Sequence, residues 1–190
     1  MFVVRDPLAR YVSGFNSRQR QGAPAHHVPW SEAEREAFAH FRTAEALALA
    51  LDPTAEDHLL AVKAMNSITH VRCAYRDWFG SLAALEARRQ SIVFIGRTEQ
   101  LDEDFDVLCQ VLKIPPWMRL PSDEKQSNRI RGSQSVVGLS EPARTFLRSW
   151  YADDYDFISW CDAWRAEQCV PVARKAGLGI EGCWNFVSQC

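Results

Sequence analysis

The first twenty residues carry the clearest pattern of apolar and polar positions in the chain. Residues 2–4 form a short apolar, β-branched run, which predicts a buried strand. Asp6 is placed to cap a following helix, and Pro7 suits its first position, where an N–H group is not needed. Four apolar side chains then recur at the spacing i, i+3, i+4 and i+7: Leu8, Tyr11, Val12 and Phe15. This spacing predicts a helix that packs one face on a core.

A second continuous apolar run, at residues 91–96, predicts another strand, of the kind found in parallel sheets that are covered by helices. Helical patterns fill most of the remaining chain. They are predicted at 31–42 (opened by a Ser31-x-x-Glu34 capping box), 43–51, 54–65, 67–89 with a break near Gly80, 101–112 and from 141 onward. The fold class predicted from this order is α/β: a short parallel sheet in a helix-rich domain.

Composition narrows the classes of function. The 190 residues suit one domain, and the hydrophobic and charged fractions of 47% and 24% are ordinary for a globular protein. A net charge of −2 argues against a general binder of nucleic acid or membrane surfaces. The cluster of Arg5, Arg10, Arg18 and Arg20 is therefore a local feature, which favours a small anionic ligand.

Targeting signals and metal motifs are not evident in the sequence. No apolar run reaches the length of a membrane span, and the first residues lack the pattern of a secretory leader, so a cytoplasmic location is expected. The six cysteines include no C-x-x-C pair and no histidine at zinc-finger distance, so no metal site is expected. The last four, at 161, 169, 183 and 190, are compatible with either disulfides or free thiols.

The turn after the first strand is the best candidate for a binding site. Arg5 ends the strand, and Arg10, Ser13 and Ser17 are predicted to project from the side of the helix opposite its apolar stripe. A helix N-terminus attracts anions through its free amides and its dipole, and an arginine adds charge-assisted hydrogen bonds. The alternative is an ordinary strand-to-helix turn with a solvated, arginine-rich face.

The sequence Arg5-Asp6-Pro7, followed by Arg10, Ser13 and Phe15, resembles the 3′-phosphate-binding motif of sulfotransferases. These enzymes use 3′-phosphoadenosine-5′-phosphosulfate (PAPS) as co-substrate. The resemblance implies that Arg5 and Ser13 grip the 3′-phosphate of the nucleotide, with Arg10 as a further candidate. It also implies a P-loop-like, three-layer domain and no metal cofactor.

The resemblance extends over roughly residues 2–158 and is close to the carbohydrate-type and related bacterial branch of the family. In the segment 94–101, it implies a mostly structural role for Glu99, which would hold the loops around the nucleotide; a plain surface carboxylate is the alternative. In the polar stretch 120–138, Arg129 and Arg131 are candidates by position to reach the 3′-phosphate. A solvated loop is the alternative there.

The function that the resemblance implies is sulfuryl transfer from PAPS to a hydroxyl or amine of a carbohydrate or small-molecule acceptor. Such a reaction needs a loop with lysine for the 5′-phosphosulfate and a general base for the acceptor. The family places both upstream of Arg-Asp-Pro, and no matching loop is found in this sequence. Of the five histidines, those at 26, 27 and 70 are considered for this base and are read as solvated or structural, so no catalytic residue is assigned.

We therefore interpret residues 1–160 as an N-terminally truncated sulfotransferase-like domain and residues 161–190 as a tail of unknown role. Such a fragment is expected to lack turnover and to expose an unpaired sheet edge through which it can self-associate. Two alternatives remain at this point: a non-catalytic module that binds a nucleotide or sulfated ligand, and a helical interaction protein whose Arg-Asp-Pro turn is only structural.

Overall fold

The computed structural model describes residues 1–24, 26–115, 117–120 and 138–175, with side chains described up to residue 168. The elements in chain order are β1 (Phe2–Val4), α1 (Pro7–Gln19), α2 (Glu32–His40), α3 (Ala44–Leu49), α4 (His58–Ser67), α5 (Thr69–Arg72), α6 (Tyr75–Phe79), α7 (Leu82–Ala87), β2 (Ile95–Arg97), α8 (Leu101–Leu112), α9 (Glu141–Trp150) and α10 (Ala152–Lys175).

The two strands form a parallel pair in which Phe2 lies opposite Ile95 and Val4 lies opposite Arg97. The predicted helix-rich α/β class is thus confirmed. The second strand was predicted at 91–96 but begins at Ile95, because Arg89–Ser91 forms a 3-10 turn and β1 offers only three residues for pairing. In the described part of the chain each strand is paired on one side only, so self-association through an open edge stays a prediction.

Helix α1 lies at the centre of the larger of two hydrophobic clusters. Its stripe of Leu8, Tyr11, Val12 and Phe15 is at most 2% exposed, which confirms the predicted amphipathic helix. Gly14 permits close packing of α1 on α5, because a Cβ atom there would lie 3.0 Å from the His70 carbonyl oxygen.

The smaller cluster covers one face of the sheet and joins it to α6, α7 and α10. Its buried members are Val4, Tyr75, Leu85, Ile95, Phe157, Ile158, Cys161 and Trp164. Helix α10 thus continues past residue 160, where the sequence analysis placed the start of a tail, and packs Cys161 and Trp164 against the sheet. Burial raises the pKa of the Cys161 thiol to about 12. Residues 176–190 of the predicted tail lie outside the described residues.

The helix predicted at 67–89 needs correction in one respect. The predicted break near Gly80 is confirmed, since the backbone turns there with a positive φ of 76°. A second break, which was not predicted, lies at Cys73 and Ala74, where the backbone is extended, so the segment forms three short helices. On α9, Leu147 faces the core, whereas Trp150 is 36% exposed.

Among the helices that the structure describes, none combines the length and the apolar character that crossing a membrane requires.

Candidate functional site

The Arg5-Asp6-Pro7 turn connects β1 directly to α1. The Asp6 carboxylate accepts a hydrogen bond of 2.9 Å from the backbone N–H of Ala9, and Pro7 occupies the first helical position. Both are features that the sequence predicts. The turn therefore presents Arg5 at the carboxyl end of the sheet, next to the amino end of a 13-residue helix.

Glu99 ties this turn to the end of β2. Its carboxylate oxygen Oε1 accepts a hydrogen bond of 2.9 Å from the backbone N–H of Asp6. The segment that carries Glu99 is itself fixed, because buried Asp104 accepts hydrogen bonds from the Arg97 backbone N–H and, at 2.7 and 2.8 Å, from the Arg165 guanidinium. The structural role predicted for Glu99, holding neighbouring loops together, is confirmed for these contacts.

Tyr75, which lies 70 positions away in the sequence, also fixes this turn. Its hydroxyl oxygen accepts a hydrogen bond of 2.7 Å from the Arg5 N–H, and the hydroxyl donates one of 2.6 Å to the Arg5 carbonyl oxygen. Burial raises the pKa of Tyr75, so the hydroxyl keeps its proton for this donation. The backbone of Arg5 is thus fully hydrogen-bonded.

The side chains of Arg5 and Ser13 remain available for a ligand. Within the described ranges, neither the Arg5 guanidinium nor the Ser13 hydroxyl forms a hydrogen bond or an ion pair with another side chain or with backbone. Both residues are partly exposed. Ser13 follows Pro7 by six residues, so it lies about 9 Å further along the axis of α1.

Arg10 does not project away from the core, as the sequence analysis expected. Its guanidinium pairs with the carboxylate of Asp154 on α10 and lies 4.7 Å from the centre of the Tyr75 ring and 5.3 Å from that of Tyr151. The expectation was wrong because helical periodicity describes a helix face but not the neighbours that pack over it. Asp154 is only 2% exposed and needs this cation.

Arg18 is also occupied. It belongs to the arginine cluster that the sequence suggested for an anion, yet it is 4% exposed and pairs with the buried carboxylate of Glu34.

Arg131 and Arg129, predicted for the 3′-phosphate, lie outside the described residues. His26, His27 and His70 are exposed.

Sequence reasoning missed Tyr75 and Asp154 as contributors to the site. Tyr75 contacts Arg5 across 70 positions of the chain, and Asp154 contacts Arg10 across 144. No local spacing reveals pairs of this separation. The only available signal was the placement of a tyrosine and an aspartate within amphipathic helical patterns.

A family model described as the sulfotransferase family matches residues 1–158 of the chain. The chain belongs to the sulfotransferase family. Neither a comparison with curated proteins nor one with solved structures gave a match. In this sulfotransferase family member the matched range begins at the strand before the Arg5 turn and ends within α10. It includes Arg5, Ser13, Tyr75, Glu99 and Asp154, whereas Arg165, which pairs with Asp104, follows it.

Family membership indicates sulfuryl transfer as the general chemistry. Among the residues that the structure describes, this family member supplies the Arg5 guanidinium without a hydrogen-bond partner, the Ser13 hydroxyl and the amino end of α1, which are groups that favour a small anion. In the part of the chain that the structure describes, no group of three or more His, Cys, Asp or Glu side chains is arranged to hold a metal ion.

Proposed function

We propose that this protein binds the 3′-phosphate of PAPS at the Arg5-Asp6-Pro7 turn, with the Arg5 guanidinium and the Ser13 hydroxyl as its contacts. The observation that carries the proposal is the contrast within Arg5: the backbone is hydrogen-bonded on both sides, whereas the side chain has no partner among the described residues. A guanidinium that is carried on a fixed backbone, and that has no competing partner among the described residues, is well placed to bind an anion. Arg10 acts indirectly in this proposal, through its contacts with Asp154 and Tyr75.

The reaction that this binding would serve moves the sulfuryl group of PAPS to an acceptor oxygen or nitrogen. The acceptor loses a proton, and adenosine 3′,5′-bisphosphate leaves. In this chemistry the Arg5 turn anchors the nucleotide, so that the sulfuryl group is held in a fixed position for in-line attack. The P-loop-like, three-layer fold and the cytoplasmic location predicted from the sequence belong to the same proposal and stay predictions.

A saccharide acceptor is supported by a shallow, open depression on the surface beside α6. Trp78, which is 73% exposed, lines it together with Asn66, Arg72 and Asp77. An exposed indole offers a flat apolar face to a sugar ring, and the amide, guanidinium and carboxylate can hydrogen-bond to hydroxyl groups. Trp78 and Asp77 share a five-residue helix with Tyr75, the residue that contacts Arg5, which supports assigning this surface to the acceptor.

Ligand discrimination by the unmodified protein tests the proposal. Calorimetric titration with adenosine 3′,5′-bisphosphate and with adenosine 5′-monophosphate compares two ligands that differ only in the 3′-phosphate. We expect the bisphosphate to bind at least about tenfold more tightly, since charge-assisted hydrogen bonds to one phosphate contribute roughly 1.5–3 kcal/mol. Equal affinity for the two nucleotides, or binding of neither, would contradict the proposal.

A further inference from the structure

Tyr75 makes the contacts of a residue that sets the position of Arg5. A tyrosine hydroxyl is both donor and acceptor, and here one hydroxyl satisfies the N–H and the C=O of the same residue, at 2.7 and 2.6 Å. Among the described residues, no other hydrogen bond to these two Arg5 groups is present, since the strand pairing ends at Val4. Glu99 holds the next residue, Asp6, so the backbone at Arg5 itself depends on the Tyr75 hydroxyl.

Tyr75 is itself held by three contacts, two to its ring and one to its backbone. It stacks on Phe157, with ring centres 4.8 Å apart and an angle of 16° between the planes. The Arg10 guanidinium lies over the ring, and the Tyr75 backbone N–H donates a hydrogen bond of 2.7 Å to Asp154. Because Asp154 also pairs with Arg10, residues of α1 and α10 hold Tyr75 together.

We infer that Tyr75 is a positioning residue of the nucleotide site, which acts by holding the Arg5 backbone so that the guanidinium meets the 3′-phosphate. This inference rests on the proposed function. Without the hydroxyl, the Arg5 N–H and C=O lose their partner, and the turn can shift toward water. A displacement of the guanidinium by a fraction of an ångström weakens directional, charge-assisted hydrogen bonds.

The experiment compares Tyr75→Phe with Tyr11→Phe by calorimetric titration of both adenosine nucleotides. Tyr75→Phe keeps the ring stack and removes only the hydroxyl. Tyr11→Phe is the matched control, because its buried hydroxyl donates a hydrogen bond of 2.7 Å to the backbone carbonyl of Ala44, away from Arg5. Thermal unfolding first identifies a temperature at which wild type and both variants are folded.

We expect Tyr75→Phe to bind adenosine 3′,5′-bisphosphate roughly five- to tenfold more weakly than wild type, the loss that one ordinary hydrogen bond contributes. Binding of adenosine 5′-monophosphate should change little, so the preference for the 3′-phosphate falls. Tyr11→Phe should lose stability but keep both affinities. A loss of stability alone, in a protein that is still folded, should not change the ratio of the affinities for the two nucleotides. This ratio is therefore the measurement that is specific to positioning.

The remaining outcomes separate the two claims. Wild-type affinity and preference in Tyr75→Phe would overturn the positioning role and leave the proposed function intact. An equal loss of preference in Tyr11→Phe would also overturn it, since the effect would then come from loosening of the fold. A wild-type protein that binds neither nucleotide would contradict the proposed function and this inference together.

Discussion

Replacing Glu34 by alanine is expected to lower the free energy of unfolding by about 3–5 kcal/mol, the usual consequence of removing one partner of a buried ion pair. Glu34 is 1% exposed and Arg18 is 4% exposed. Two parallel hydrogen bonds of 2.7 Å join the guanidinium to the carboxylate. The variant would leave the Arg18 cation buried with only the carbonyl oxygens of Val28 and Pro29, at 3.2 and 3.3 Å.

The carboxylate also links three helices. It accepts hydrogen bonds from the Ser31 N–H at the start of α2 and from the N–H and hydroxyl of Thr69 at the start of α5, while Arg18 belongs to α1. Chemical denaturation of wild type and variant measures the loss. Glu36→Ala is the matched control, because Glu36 lies on the same helix and pairs with Lys63 at the surface; it should cost about 1 kcal/mol or less. Similar losses in both variants would contradict this account.

Acid is expected to destabilise the protein through the same residue. Burial alone would raise the pKa of Glu34, but hydrogen bonds from Arg18, Ser31 and Thr69 and the charge of Arg18 lower it to about 2. In the unfolded chain the pKa returns to about 4.5. Stabilisation by the ionised carboxylate is therefore complete above pH 4.5 and is lost as the pH falls from there toward 2. Its full extent is about 3 kcal/mol, at about 1.4 kcal/mol per pH unit.

Unfolding free energies measured between pH 6 and pH 3 test this dependence in wild type and in Glu34→Gln. The amide cannot ionise, so the variant should be less stable at pH 6 but should lose stability with a shallower slope below pH 4.5. Parallel slopes in the two proteins would show that other carboxylates cause the acid destabilisation.

Local signals were sufficient to predict the strand, turn and helix around Arg5. The Asp6 cap, Pro7 and the capping box at Ser31 all act within three or four residues, so the sequence contains the whole interaction. Within the helix predicted at 67–89, the break near Gly80 was predicted, but the break at Cys73 and Ala74 was not. Tyr75, which follows that second break, contacts Arg5, and this contact is a property of the fold and not of the local sequence.

In the candidate site, too, the sequence predicted what is local and missed what depends on distant residues. Arg5 and Ser13 belong to a short motif and are found on one strand–turn–helix unit, whereas the orientation of Arg10 depends on Asp154, far along the chain. Glu99 was placed correctly as a structural residue because the resemblance to the family extended to its segment. The contribution of Tyr75 became visible only from the distances.

The central claim, that Arg5 anchors a nucleotide 3′-phosphate, is tested most directly by titrating adenosine 3′,5′-bisphosphate into wild type, Arg5→Ala and Arg42→Ala. Arg42 is an exposed arginine away from the turn, so its variant controls for the loss of one positive charge. The account predicts binding by wild type and Arg42→Ala and a loss of about 10- to 100-fold in Arg5→Ala. Equal affinity in all three folded proteins would contradict it.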